Sequence, residues 1–307
     1  MSAGQRLTTP ATMDRVEEQS GHCCVQQLVL EVAGRLQHAG IADPRGEARD
    51  LVAALCEAPR FWPSLEPLAT VSSPVVRAAR RAAERRSAGA PFAYAVGKAA
   101  FRYLMLSVDE RVLIPRQETE LLVDQVLAMV RGRRAQHVLD IGTGSGAIAI
   151  SLACEGDFER VVATDVSADA LTVASANAAR NAATLRTPIE FRHGSLFAPV
   201  SGEQFDVVVS NPPYIAFEEA ADLPRSVRDW EPATALVCGD DGLCTTFRLV
   251  ADAPATVRAG GVLALEVDER RAGTVAAQLN ETPAWCDVRV HRDLAGRDRF
   301  VIARRAD

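Results

Sequence analysis

Val138-Leu139-Asp140-Ile141-Gly142-Thr143-Gly144-Ser145-Gly146 is the stretch that decides the fold. An apolar run carries an acidic residue near its end, turns at once into a glycine-rich loop, and gives way to a helix-length segment from Ala147. Glycines there permit a sharp turn and let the backbone approach a ligand closely. The spacing is GxGxG, not the GxGxxG of dinucleotide-binding turns, and no Lys-Ser/Thr pair closes it as in a P-loop. Asp165 closes the next apolar run, where a carboxylate can hold both hydroxyls of a ribose. A bare strand-to-helix turn would explain the glycines but would ask nothing of position 165. The two features together point to S-adenosylmethionine, with its amino-acid end over Gly142, Thr143, Gly144, Ser145 and Gly146 and its ribose on Asp165. Its cationic sulfonium suits an acidic pocket without lysine.

Working outward, strands are expected at 137–141, 160–164, 189–192, 205–210, 261–267, 288–291 and 299–303. Helix-length segments separate the first five, the signature of a parallel sheet with helices on both faces. The last two are joined by Asp293-Leu294-Ala295-Gly296, a spacing that suits an antiparallel hairpin at the sheet's edge. The fold class is therefore α/β, a Rossmann-like, mostly parallel methyltransferase sheet with an antiparallel last strand and a small helical domain before it.

Directly after the fourth strand comes Asn211-Pro212-Pro213-Tyr214. Ligands of open α/β sheets bind at the carboxyl ends of strands, so these residues belong on the edge that carries the glycine loop and Asp165. Two consecutive prolines stiffen the backbone and remove two N–H donors, leaving carbonyl acceptors in a rigid frame. The Asn211 side-chain oxygen and the Pro212 carbonyl can accept both hydrogens of an incoming NH₂ group and aim its nitrogen at a methyl carbon. Two acceptors localise electron density on a poorly nucleophilic amide nitrogen and stabilise the charge that develops there. Tyr214 offers a flat ring on which a planar amide or base can stack. Asn211, Pro212 and Tyr214 are thus the candidate catalytic residues, and Asn211 through Tyr214 the candidate substrate contacts.

The rest of the chain sets limits. Its 307 residues allow a large domain with a small one, and no stretch approaches the roughly 20 consecutive apolar residues of a membrane span. Residues 1–20 read as a disordered polar extension without the pattern of a secretory signal. Residues 21–89 read as a small helical domain: Val25, Leu28, Val29, Val32 and Leu36 keep a helical period, and Asp43-Pro44 and Ser73-Pro74 start two further helices. Residues 90–115 read as a hairpin connector with Asp109-Glu110 near its turn, and 116–307 as the methyltransferase domain. Seven scattered cysteines, none in a CxxC pair, and five histidines argue against zinc or a disulfide framework, and free thiols imply the cytoplasm. A formal net charge of −6 argues against a nucleic-acid partner. Arg77, Arg80, Arg81, Arg85 and Arg86 read as a solvated helix face partly balanced by Glu84.

The motifs resemble those of the HemK/PrmC protein-(glutamine-N5) methyltransferases over about residues 25–304. Leu113-Ile114-Pro115-Arg116-Gln117-Glu118-Thr119-Glu120 is similar to that family's IPRPETE segment, with Gln117 in place of a proline. The block from Val227 to Leu243 and the tail Asp293 to Arg299 resemble two more family blocks. The resemblance implies that Gly142 to Gly146 and Asp165 bind the cofactor, that Leu196 flanks its adenine, and that Asn211 touches both cofactor and substrate. It implies a release-factor glutamine as substrate, with the helical domain as the substrate-recognition part that helps to grip it; apart from the resemblance, one amide held in one pocket needs only a monomer. Two further departures are Ser195, where an acid often precedes the adenine position, and 265–270, which lacks the usual Gly and Gln. The alternatives are a paralogue acting on another peptide, a small metabolite or a nucleic-acid base amine, and a silent binding module that keeps the fold.

Overall fold

The computed structural model describes residues 23–133 and 136–307; the extension expected over 1–20 lies outside them. The chain divides into two units, one ending at Ala88 and one spanning Gly89–Asp307. In the first unit, helices α1 (Val25–His38), α2 (Pro44–Leu55) and α3 (Ser73–Ser87) pack on one another. The apolar stripe Val25, Leu28, Val32 and Leu36 is fully buried. The Asp43-Pro44 pair starts α2 as the sequence predicts: Asp43 Oδ1 accepts the Gly46 N–H at 2.9 Å, and Pro44 fills a first-turn position whose N–H has no helical partner. Helix α3 begins at Ser73 itself, with Ser72 in the cap position and no side-chain cap bond. Two of its arginines are tied down within the unit, Arg80 by Glu31 and Arg86 by Glu47. Glu84, expected to balance them, accepts instead from Arg35 on α1.

The second unit opens with a hairpin, β1 (Lys98–Phe101) and β2 (Leu104–Ser107). Its turn is Arg102-Tyr103, not Asp109-Glu110. Arg102 has a positive φ of 52°, held by its N–H to Glu120 and by its guanidinium to Glu155. Alternation explains the placement: Phe101, Leu104 and Leu106 point into the core of this unit, so the hairpin is part of it and not a free connector.

The main sheet has seven strands: β3 (Gln136–Ile141), β4 (Phe158–Asp165), β5 (Ile189–His193), β6 (Phe205–Ser210), β7 (Val257–Glu266), β8 (Trp285–Arg292) and β9 (Asp298–Arg305). Their spatial order is β8-β9-β7-β6-β3-β4-β5. Strands β3 to β7 pair in parallel, while β9 inserts antiparallel between β7 and β8. Helices cover both faces: α4 (Gln117–Val130), α5 (Ala147–Glu155) and α6 (Ala168–Arg180) bury one apolar cluster, and α7 (Cys244–Asp252) and α8 (Ala272–Glu281) another. Being covered on both sides, the central strands are apolar at nearly every position, as in Val207-Val208-Val209. Each such side chain stabilises the fold by about 1.5–3 kcal/mol relative to exposure. The order runs outward from β3 in two directions, so β3 and β6 form the switch point where open sheets bind ligands.

Candidate active site

Register brings the two sequence motifs side by side. Ile141 pairs with Ser210 across β3 and β6, and with Thr164 across β3 and β4. Gly142, Asn211 and Asp165 therefore leave the sheet at one level. Gly142, Gly144 and Gly146 all have positive φ (73°, 56° and 84°), which is why glycine is required there. A Cβ at Gly142 or Gly144 would meet only open space. Both line a cleft with Asp165, Ser195 and Leu196. Asp165 is held in place at both oxygens, accepting from Gly144 N–H at 2.9 Å and Ser167 N–H at 2.8 Å. Leu196 is also left-handed, φ 49°, which turns it into the cleft wall.

The other loop residues face inward and do not line that cleft. Thr143 is buried and donates its hydroxyl to Asp140 Oδ2 at 2.7 Å; the same oxygen accepts the Ala149 N–H at 3.2 Å. Asp140 is wholly buried and its Oδ1 has no partner among the described residues. Burial pushes its carboxyl up to about 7, against the pull of those two hydrogen bonds. The Ser145 carbonyl accepts from Asn177 Nδ2 at 2.9 Å. Gly146 lies where a Cβ would come within 2.9 Å of Ile150 and 3.3 Å of Ala174; it is needed for close helix packing. These three residues shape the loop and leave the lining to Gly142 and Gly144.

A second, smaller cleft lies on the other side of Asn211, lined by Arg116, Tyr214, Ile215, Leu223 and Val227. Leu113, Asn211 and Ala235 line both clefts. Asn211 Nδ2 donates to Thr119 Oγ1 at 3.2 Å, while its Oδ1 and the Pro212 carbonyl accept no hydrogen bond from the described residues. Pro213 is anchored through its carbonyl, which accepts from the Cys238 thiol at 3.1 Å. Burial raises the Tyr214 hydroxyl to about 12, so it stays protonated. Arg116 is fixed beside the second cleft by Glu231, 2.8 Å away.

Residues 117–223 match the methyltransferase small domain, and residues 27–97 match the PrmC N-terminal domain. The release factor glutamine methyltransferase of Deinococcus radiodurans is 38% identical over 282 residues, covering 92% of this chain and 99% of that protein. That of Moorella thermoacetica is 38% identical over 287 residues, with 92% and 99% covered. The chain belongs to the release factor glutamine methyltransferase family. Among solved structures, the hMettl16 catalytic domain in complex with MAT2A 3'UTR hairpin 6 aligns with a TM-score of 0.51 at 15% identity, covering 78% of this chain and 85% of that one; it shares the fold.

Just past the departure at 265–270, one side chain ties two segments of the site together. Arg271 is buried and bonds Glu219 at 2.9 Å, Asp268 at 3.3 Å and the Asp241 carbonyl. Glu219 also accepts the Ala216 N–H at 3.0 Å, so this arginine fastens the segment after Tyr214 to the end of β7. Several other residues at the site carried no local signal. Thr119 and Glu266 reach Asn211 from distant parts of the chain, and Asn177 holds the glycine loop from α6. Among the described residues no group of three or more His, Cys, Asp or Glu is placed to hold a metal, and no helix is long and apolar enough to cross a membrane.

Proposed function

We propose that this family member transfers the methyl group of S-adenosylmethionine to the side-chain amide nitrogen (N5) of a protein glutamine, the Gly-Gly-Gln glutamine of a peptide chain release factor. The observation that carries the reading is the pair of clefts meeting at Asn211, with two acceptors there, Asn211 Oδ1 and the Pro212 carbonyl, that take no hydrogen bond from the described residues. The names of the relatives at 38% identity support the same substrate.

The larger cleft fits the cofactor: glycines open toward it at Gly142 and Gly144, and Asp165 is pre-positioned for ribose hydroxyls; of the two arginines that also line it, Arg111 is paired with Asp109. When bound, the cofactor supplies an electrophilic methyl on a sulfonium. Asn211 Oδ1 and the Pro212 carbonyl accept the two hydrogens of the substrate amide and hold its nitrogen toward that methyl. Attack by the nitrogen lone pair on that methyl would form the new N–C bond at the expense of the S–C bond, and both acceptors would stabilise the positive charge left on nitrogen. The proton then leaves to water, so no strong base is required. Tyr214, protonated and half-buried at the wall of the second cleft, gives the amide plane a surface to lie on. Leu196 and Ser195 border the adenine end, and Arg116 with Glu231 keeps the second cleft in shape.

The remaining parts of the reading follow from the same chemistry. One amide in one pocket needs only a monomer. Seven free thiols and a translation-factor substrate support a cytoplasmic location. A net charge of −6, with Arg80 and Arg86 of α3 paired to Glu31 and Glu47, argues against a nucleic-acid partner. The test is transfer of tritium from methyl-labelled adenosylmethionine to a release factor, with the product located by mass spectrometry. Label should sit on the Gly-Gly-Gln glutamine and vanish when that residue is alanine. Label in RNA or DNA, with none in the protein, would overturn the reading.

A further inference from the structure

Behind Asn211 lies a buried chain of polar groups drawn from three separate elements. Thr119, in the first turn of α4, is 4% exposed, and Glu266, the last residue of β7, is 1% exposed. Thr119 Oγ1 lies 2.7 Å from Glu266 Oε2 and 3.2 Å from Asn211 Nδ2. Neither Thr119 nor Glu266 lines either cleft, so neither touches a substrate. We propose that Glu266, acting through the Thr119 hydroxyl, fixes which end of the Asn211 amide faces the two clefts, and is therefore a positioning residue for methyl transfer. The inference rests on the functional reading above, in which Asn211 Oδ1 must accept from the substrate amide.

The logic is one of donors and acceptors. An ionised carboxylate has no proton to give, so the single hydroxyl hydrogen of Thr119 goes to Glu266. The Thr119 oxygen is then left to accept, and only Asn211 Nδ2 can serve it. Oδ1 is thereby turned toward the clefts, where an acceptor is needed. A protonated Glu266 reverses the choice. It donates to Thr119, whose hydrogen is freed for Asn211 Oδ1, and the amide turns to offer the substrate nitrogen a donor in place of an acceptor.

Burial holds the Glu266 carboxyl up at about 7, opposed by the Thr119 hydrogen bond. The charges facing it are Arg299 on β9, Arg116 ahead of α4 and Glu118 within α4; the Tyr214 hydroxyl faces it from the segment after β6. The two arginines favour the charged form and Glu118 opposes it. The switch between the two hydrogen-bond patterns thus falls within the range in which turnover is measured.

The experiment is the pH profile of kcat from roughly pH 6 to 9 at saturating cofactor and release factor, for the unaltered enzyme, Glu266→Gln, Thr119→Val and Thr119→Ser. Cofactor affinity is measured in parallel to establish that each variant is folded. The unaltered enzyme should lose activity below about pH 7, where Glu266 becomes protonated. Glu266→Gln should abolish that acid limb. Thr119→Val should abolish it too and lower kcat about tenfold at high pH, the worth of one hydrogen bond, with cofactor affinity kept. Thr119→Ser should bring back both the limb and most of the turnover. An acid limb that survives in Glu266→Gln, a flat profile in the unaltered enzyme, or a Thr119→Val kcat equal to the unaltered value would each overturn the proposal. Absence of any transfer to the Gly-Gly-Gln glutamine would instead overturn the functional reading, and this inference with it.

Discussion

Replacing Asp140 by asparagine should make stability less dependent on pH, because the acid is buried beneath the glycine loop with one oxygen unpartnered among the described residues. Burial moves its carboxyl from 3.8 to about 7, and at 1.36 kcal/mol for each unit the ionised form destabilises the fold by about 4 kcal/mol. The sign follows from the raised value. Below the unfolded value of 3.8 the acid is neutral in both states and its stability contribution is fully present. As pH rises, the unfolded chain ionises first, and the contribution declines until the folded protein has titrated near 7. Asparagine does not titrate, and its carbonyl can take the Thr143 and Ala149 hydrogens that now share Asp140 Oδ2. The new NH₂ group shifts stability by a constant amount at every pH. The stability difference, variant minus unaltered protein, should therefore grow by about 2 kcal/mol between pH 5.5 and 7 and then level off. Urea unfolding of both proteins at pH 5.5, 7 and 8 measures it, and Glu266, titrating alike in both, cancels. A difference that stays constant across the three values would refute the reasoning, since Asp140 would then ionise as in an unfolded chain.

Three further outcomes are expected. Asn211→Ala should lower kcat by about 10²- to 10³-fold, the usual effect of removing a group aimed at developing charge, while cofactor affinity measured by calorimetry falls far less; unchanged turnover would take Asn211 out of the chemistry. Asp165→Ala should weaken cofactor binding by at least about tenfold, through loss both of the ribose acceptor and of the bonds that seat Gly144 and Ser167; an unaltered Kd would remove it from that role. Gly242→Ala sets a Cβ 2.3 Å from the Tyr214 carbonyl at a φ of +80°, so kcat should fall by about tenfold or more as the Asn211–Tyr214 segment shifts. Tyr214 fluorescence and methylation rates that match the unaltered protein would show that the segment yields without consequence.

Sequence alone was enough for the sheet, since strands buried on both faces carry near-continuous apolar runs and the loops after β3 and β6 carry glycines and prolines with definite backbone roles. It did less well on what the loop residues do. Spacing marks five positions at 142–146, but alternating positive φ sends Gly142 and Gly144 to the cleft and Thr143 and Ser145 inward. The hairpin turn was misplaced because Asp109-Glu110 has turn-like composition, whereas Arg102-Tyr103 is stabilised by Glu120 and Glu155, carboxylates supplied from elsewhere in the chain. Thr119 and Glu266 were illegible as partners for a similar reason. They are 147 positions apart, and no local pattern encodes a hydrogen bond closed only when α4 and β7 meet behind Asn211.

Asn177 gives one last consequence. Its side chain accepts from the Ser107 N–H at 2.7 Å, donates to the Ser107 carbonyl at 3.0 Å, and donates to the Ser145 carbonyl at 2.9 Å. Every partner is main chain. The latch between hairpin and glycine loop therefore places unequal demands on the chain: position 177 needs a short amide, a group that both gives and takes hydrogen bonds, while positions 107 and 145 contribute to it with main-chain atoms that every residue but proline supplies. Substitution can range over the hairpin end without loosening the loop, and the whole burden of keeping the two registered falls on a single buried side chain.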